Sequence, residues 1–258
     1  MPTKYFEKFP RVDYDIEQNK RPKTVIDILR RVGIRGDFVK LLPTYYKQVI
    51  TNEERPDMLS FDHYGNTYYH WVEMFLNGVV DPYHDWVIKY QDLEQFINKK
   101  YPDRTLLLVP THFSDSSYGS VDASAIRFFV EGETVDEYES NGTKLDATGT
   151  VTSFEASKMQ LNFNTTTPTL WSTDKFVKGA DSGAVGKILS TSNQRDSVHH
   201  YENSDGIEVG RTASGATAIT NAEYELKNND SKREILVLRE RYLNQFENEL
   251  KGILKSAN

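Results

Sequence analysis

The sequence predicts an α+β protein with an N-terminal arm and a small helical module, a middle region of mostly antiparallel strands that forms a small barrel or roll, and a long C-terminal helix. Three observations predict it: apolar residues recur at helical spacing between residues 56 and 101, alternate at strand spacing in stretches between Leu106 and Val209, and return to helical spacing from Asn229 to Lys255. The boundaries that follow are an extended arm at 1–22, a helical module at 23–104, a β-rich domain at 105–220 and a C-terminal helix at 221–258.

The arm carries Tyr5, Phe6, Phe9 and Tyr14 among charges and prolines, with little periodicity. Aromatic side chains are costly to leave in water, so the arm is expected to lie along its own domain or along a neighbour. In the module, Val25, Ile28, Leu29 and Val32 fall on one helix face, and Leu41 to Ile50 reads as a strand. Pro56 suits the first turn of a short helix through Met58, Leu59 and Tyr64, which Gly65 closes. Asn66 caps the next helix, whose buried face is Tyr68, Trp71, Val72, Phe75, Leu76 and Val79, and Asn77 and Gly78 tolerate the conformation needed at its end. Asp81-Pro82-Tyr83 is a turn that brings Trp86 back, and a third helix over Leu93, Phe96 and Ile97 ends before Pro102. Residues 61–86 hold eight aromatic residues and two of the chain's three tryptophans. Such a density makes either a small tight core or a docking face.

In the β-rich region Met159, Leu161 and Phe163 alternate, and the runs Val198 to Tyr201 and Ile207 to Val209 flank an Asp205-Gly206 turn. Phe129-Val130-Glu131-Gly132 recurs as Phe176-Val177-Lys178-Gly179, and Ala147 to Val151 recurs as Ala184 to Ile188. Two such units are expected to pair as halves of a twisted barrel or roll. The last segment reads as one helix from Asn229 to Lys255 with Ile235, Leu238, Tyr242, Phe246, Leu250 and Ile253 on one stripe. Leu243, Phe246, Leu250 and Ile253 have coiled-coil-like spacing, so this helix packs back on the first module or pairs with a partner subunit.

Composition narrows the function. The chain has 258 residues and no cysteine, which removes disulfides and Cys-ligated zinc and suits assembly in a reducing cytoplasm. Its opening residues lack an apolar signal core, and no run approaches the roughly 18 apolar residues needed to span a bilayer, so a soluble protein without a signal peptide is expected. The glycosylation-like tripeptides at Asn141, Asn164 and Asn229 are then chance matches. A net charge of -7 with interspersed signs argues against nucleic acid, which requires clustered cations. Lys20-Arg21, Arg30-Arg31 and Lys99-Lys100 are isolated pairs that read as solvated faces or as contacts to acidic neighbours.

The catalytic alternatives are weak. Gly179-Ala180-Asp181-Ser182-Gly183-Ala184 resembles a serine-protease nucleophile loop, but Ala180 breaks the order and a β-turn explains the composition. His63, His70, Asp81, His84 and Asp85 are residue types that ligate metals, yet His63 and His70 lie on different helices. His199 and His200 on an alternating strand point to opposite faces. Asp62, Asp81, Asp85 and Asp92 raise acid and base catalysis of glycoside hydrolysis, but nothing sets two of them at a fixed separation. The glycines near 132, 142 and 149 lack the strand, loop and helix order of a phosphate cradle. No catalytic residue, metal or cofactor is expected.

Tyr45-Tyr46, Arg55-Pro56-Asp57, Tyr64-Gly65-Asn66, Tyr69-His70-Trp71, Asn77-Gly78, Asp81-Pro82-Tyr83 and Asp85-Trp86, in this order and spacing, resemble the signature of base plate wedge protein 53, a small wedge subunit of T-even-like phages with contractile tails. The resemblance covers roughly residues 1–101, and the last 35 residues are similar more loosely. It implies a non-enzymatic virion subunit of the tail baseplate, assembled in the host cytoplasm and present in six copies. Its implied partners are other wedge subunits, neighbouring wedges around the hub, and hub or sheath-initiator proteins, with no nucleic acid and no membrane. Tyr45, Tyr46, Trp71, Tyr83 and Trp86 are the expected anchors of the module or its interface. Arg55, Pro56, Tyr64, Gly65, Asn66, Asn77, Asp81 and Pro82 are the expected fold-defining positions. The competing class is a peptidoglycan or sugar-binding module of a phage tail, in which a sugar stacks on Trp86 or Tyr83.

Overall fold

Strand-forming residues from near the two ends of the chain meet in one ladder. In the computed structural model, which describes residues 5–15, 17, 18, 20–29, 44–51, 54–109, 128–165 and 170–256, β3 (Tyr45–Val49) runs antiparallel to β13 (Glu234–Leu238). Ile235, Val237 and Leu238 are buried from β13 and Tyr45 from β3. This corrects the expected continuous helix from Asn229 to Lys255. The run Glu-Ile-Leu-Val-Leu is rich in β-branched and aliphatic residues and has a ladder to join, so pairing overrides the helical spacing. The helix α5 begins only at Leu243 and ends at Ser256, 14 residues in all. Its buried stripe is Leu243, Phe246, Leu250 and Leu254; Ile253, expected on that stripe, is exposed.

The chain forms two units, residues 1–89 with 228–258, and residues 90–227. Seams at 89/90 and 227/228 differ from those read at 104/105 and 220/221, because the helix around Leu93 goes with the strands that follow it.

In the first unit, α1 (Pro56–Tyr64) has Pro56 in its first turn and ends at Gly65 with φ 63°, a left-handed cap that glycine adopts without strain. The side chain of Asn66 then accepts a hydrogen bond from the Tyr68 amide at 2.9 Å, starting a 3-10 turn, Thr67–Tyr69, that runs into α2 (His70–Leu76). Trp71, Val72 and Leu76 are buried as expected, while Tyr68 is exposed because its turn is 3-10 and faces away. Asn77 closes the helix against the sheet. Its amide donates to Glu73 O and Leu236 O, and its oxygen accepts from the Leu236 amide at 2.7 Å, so one side chain satisfies the outer edge of β13. Tyr64 donates its hydroxyl to Leu238 O at 3.0 Å.

The arm is not simply extended. A 3-10 turn, Tyr5–Lys8, places Phe9 in the core and Tyr5 against Trp71 at 5.2 Å between ring centroids. Lys8 is buried, 4.3 Å from the centre of the Trp71 ring and 2.6 Å from Glu247 of α5. After it, β1 (Arg11–Tyr14) and β2 (Lys23–Ile26) form a hairpin. Val25 therefore lies on a strand and Ile28 and Leu29 follow it, in place of the expected helix. Val32, Leu41 and the pair Arg30-Arg31 lie outside the described residues.

In the second unit, α3 (Tyr90–Lys100) precedes β4 (Arg104–Leu108). Six strands follow the order β4, β7 (Gln160–Thr165), β6 (Lys144–Glu155), β5 (Thr134–Tyr138), β8 (Phe176–Gly179) and β9 (Val185–Asn193), and β9 pairs back onto β4, closing a barrel. Leu106, Val135, Val151, Leu161, Phe163, Val177 and Ile188 fill it. Met159 stands at φ 54° in the turn before β7 and is not a strand residue. The expected repeat holds in part: Gly132 is a turn residue at φ 86° whereas Gly179 lies in β8, but Ala147 to Val151 lie in β6 and Val185 to Ile188 in β9, both barrel strands. A smaller sheet orders β11 (Glu208–Val209), β10 (Val198–Glu202) and β12 (Thr217–Thr220), with Gly206 in the expected turn, and leads into α4 (Asn221–Ser231).

The Asp181-Ser182-Gly183 turn is organised by Glu133. This carboxylate, 2% exposed, accepts hydrogen bonds from the amides of Val130, Asp181 and Ser182 and from the Ser182 hydroxyl. Burial pushes its pKa up, but these four donors outweigh burial and hold it below the ordinary value. Its contribution is therefore full above the unfolded-state value and is lost as pH falls through the depressed folded value. Glu133→Ala strands buried donors and is expected to cost on the order of 3 kcal/mol. Urea titrations at pH 7 and at pH 3 check this, because the wild-type advantage must shrink in acid.

Candidate interface

Four of the five expected anchors are built into the first unit. Tyr45, Trp71 and Trp86 are buried, and Tyr46 is half-buried with Arg239 over its ring at 5.6 Å. Trp71 stacks on Phe246 of α5 at 6.0 Å, and Trp86 donates its indole N–H to Glu54 O at 2.9 Å. Trp71 thus joins the C-terminal helix to α2, and Trp86, beyond α2, is tied to the segment just before α1. Tyr83 differs, being 82% exposed.

The loop that carries Tyr83 is held by its own carboxylates. Asp85 accepts from the amides of Val80 and Asp81, and Asp81 accepts from the Tyr83 amide and contacts His84 Nδ1 at 2.6 Å. Hydrogen bonds lower the pKa of both, from His84 and Tyr83 to Asp81 and from the Asp81 and Val80 amides to Asp85. Pro82 sits inside this turn, and Lys232 donates to His84 O. Arg55, just before Pro56, forms an exposed pair with Asp57 at 2.8 Å. The loop presents Val80, 89% exposed, beside Tyr83 on a backbone fixed by these bonds.

The residues considered for metal binding separate into distinct pairs. His63 Nδ1 lies 2.5 Å from Glu73, which is fully buried, and its Nε2 lies 3.0 Å from Gln48, so α1, α2 and β3 are tied by one imidazole. Burial pushes the Glu73 pKa up, partly offset by His63. His70 bonds Thr67 O. Among the described residues no group of three or more His, Cys, Asp or Glu is arranged to hold a metal ion. The Ser182 hydroxyl is engaged by Glu133 and by the Ala184 amide, which is a turn lock.

The surface that sequence reasoning missed is the β1–β2 hairpin. Every residue of β1 is exposed, and Val12, Tyr14, Ile26, Ile28 and Leu29 present large apolar side chains to water, Leu29 at 86%. Cross-strand pairing puts Val12 opposite Val25 and Tyr14 opposite Lys23 on one face, and Arg11 opposite Ile26 and Asp13 opposite Thr24 on the other. The turn is fixed locally, by Lys23 with Glu17 at 2.6 Å and the Lys20 amide with Asp15. A two-stranded hairpin with both faces wet is marginal alone. The signal was present as the alternating Arg-Val-Asp-Tyr run and the β-branched Thr-Val-Ile run.

Residues 4–103 match the family model described as base plate wedge protein 53. No curated protein matches the chain.

Trp86→Ala is expected to cost about 3–5 kcal/mol through lost core packing, whereas Tyr83→Ala changes stability by less than about 0.5 kcal/mol. Chemical denaturation of the two variants checks the assignment of one ring to the core and the other to the surface.

Proposed function

We propose, because residues 4–103 match the base plate wedge protein 53 family model, that the chain is a structural subunit of a phage contractile-tail baseplate that binds other wedge proteins and links neighbouring wedges around the hub. The observation that carries the reading is the division between a rigid aromatic core and exposed apolar groups on short, locally braced segments. A linker must hold two partners in fixed geometry, and segments with their own hydrogen-bond frames lose little freedom on docking.

In this reading the hairpin supplies the larger contact, since its strand edges, which pair with no third strand among the described residues, and its apolar side chains suit strand addition or burial under a partner. Val80 and Tyr83 supply a second contact. The C-terminal helix contributes from its outer face, where Ile253 is exposed, while its inner face holds the fold. Family resemblance supports six copies per baseplate, with sheath-initiator or hub proteins as further partners and assembly in the host cytoplasm. The sugar-binding alternative is weaker, because Trp86, one of its two stacking surfaces, is buried.

Removing residues 1–20 would also take away Lys8 and Phe9 and disturb the core, so the test uses surface changes. Tyr14→Ser with Ile28→Ser and Leu29→Ser is expected to leave the unfolding midpoint unchanged and to abolish joining of wedges. Electron microscopy of tagged protein from infected cells reads this out: wild type copurifies with six-fold rings and the variant does not. Rings of normal yield in the triple variant would remove the hairpin from the interface.

A further inference from the structure

His199 and His200 in the second unit do not point to opposite faces. β10 pairs Val198 with Thr220 and His200 with Ile219, so His199 is the extra residue of a bulge, and a bulge re-aims side chains. The two Nδ1 atoms lie 2.8 Å apart. His199 also stacks on Tyr224 of α4, with ring centroids 3.9 Å apart and planes 6° from parallel. His200 Nε2 lies 2.9 Å from Glu202, which is itself paired with Lys227 of α4 at 2.6 Å.

This geometry fixes the count of hydrogens. Glu202 is an acceptor, so His200 Nε2 carries a hydrogen. A hydrogen bond between two Nδ1 atoms requires one donor and one lone pair. We propose that His199 and His200 act as a one-proton clasp, in which a single hydrogen is shared between the two Nδ1 atoms and a second one parts the rings and frees the β10 bulge from α4.

The steps balance without any co-reactant. With both rings neutral, His199 Nδ1–H donates to the Nδ1 lone pair of His200. A first proton from solvent is accommodated when His200 becomes the donor and His199 holds its other hydrogen on Nε2, so the contact persists. A second proton puts hydrogens on both Nδ1 atoms, and two N–H groups then face each other.

The surroundings oppose that second charge. His199 is held below its ordinary pKa by burial first, then by Lys158 and His200, with Glu225 and Glu155 acting in the opposite sense. Glu225 is engaged by Lys100 and Tyr101, and Glu202 by Lys227, so these carboxylates are already shared with other groups. A depressed folded-state value means the contribution is complete above the unfolded histidine value of about 6.5 and is lost as pH falls below it. The clasp is thus closed at neutral pH and opens in acid.

The test is a nitrogen-15 histidine titration of the full chain by nuclear magnetic resonance. At neutral pH one Nδ1 of the pair should be protonated and the other bare, and two bare or two protonated Nδ1 atoms would overturn the proposal. On acidification the ring-current shift of Tyr224 should collapse with the second protonation, below the ordinary imidazole value. In His200→Gln, which keeps the His199 stack, that step should move back up toward the ordinary value. A Tyr224 signal that stays constant through double protonation, or independent titration of both rings at the ordinary value, sinks the clasp.

Discussion

The ladder between β3 and β13 is the constraint on which the first unit depends. It joins residues nearly 190 positions apart, and everything around it is positioned by that junction. Asn77 and Tyr64 bond to β13, α5 follows β13 through a short 3-10 turn, and Phe246 of α5 meets both Trp71 and Phe75. The arm then docks on the surface so created, with Lys8 reaching Glu247 across Trp71. Family resemblance covers the front of the chain, but the core of that region is completed from the back.

Polar groups carry much of the precision. Asn77, Asn229 and Glu133 are each committed to backbone groups that lack a ladder partner, which removes the cost of burying those groups bare. His63 between Glu73 and Gln48 plays a similar part among α1, α2 and β3. Such bonds are directional, so they fix the relative placement of helices and strands more tightly than apolar contact alone. That rigidity suits the linking role proposed above, in which the contacts fall to peripheral elements.

Local signals were legible where chain-local physics decides the outcome. Pro56, Gly65, Asn66 and Asn77 mark helix ends because caps and left-handed turns act within a few residues. The Asp205-Gly206 turn and the closely spaced strands were readable for the same reason. Three things were not. Glu234–Leu238 has apolar residues compatible with either period, and only its distant partner Tyr45–Val49 selects the strand. The hairpin residues Val25, Ile28 and Leu29 mimic a helix face for the same reason. The anchors were chosen by residue type, and size alone does not separate Trp86, which finds Glu54 O and a core, from Tyr83, which does not.

Asn229 has one more consequence. Its side chain accepts from the Ile88 amide at 2.8 Å and donates to Ile88 O at 3.1 Å, so the chain leaves and re-enters the first unit at a single clamped point. The whole of residues 90–227 is, for the first unit, a closed loop. When that loop is a random coil, closing roughly 140 residues costs about 3 kcal/mol more than closing a loop of four or five, at about 0.6 kcal/mol per doubling. Folding of the second unit before the β3–β13 ladder forms shortens the path between its ends and speeds the search for the ladder. The order of events during synthesis suits this, because residues 90–227 emerge from the ribosome before β13 does.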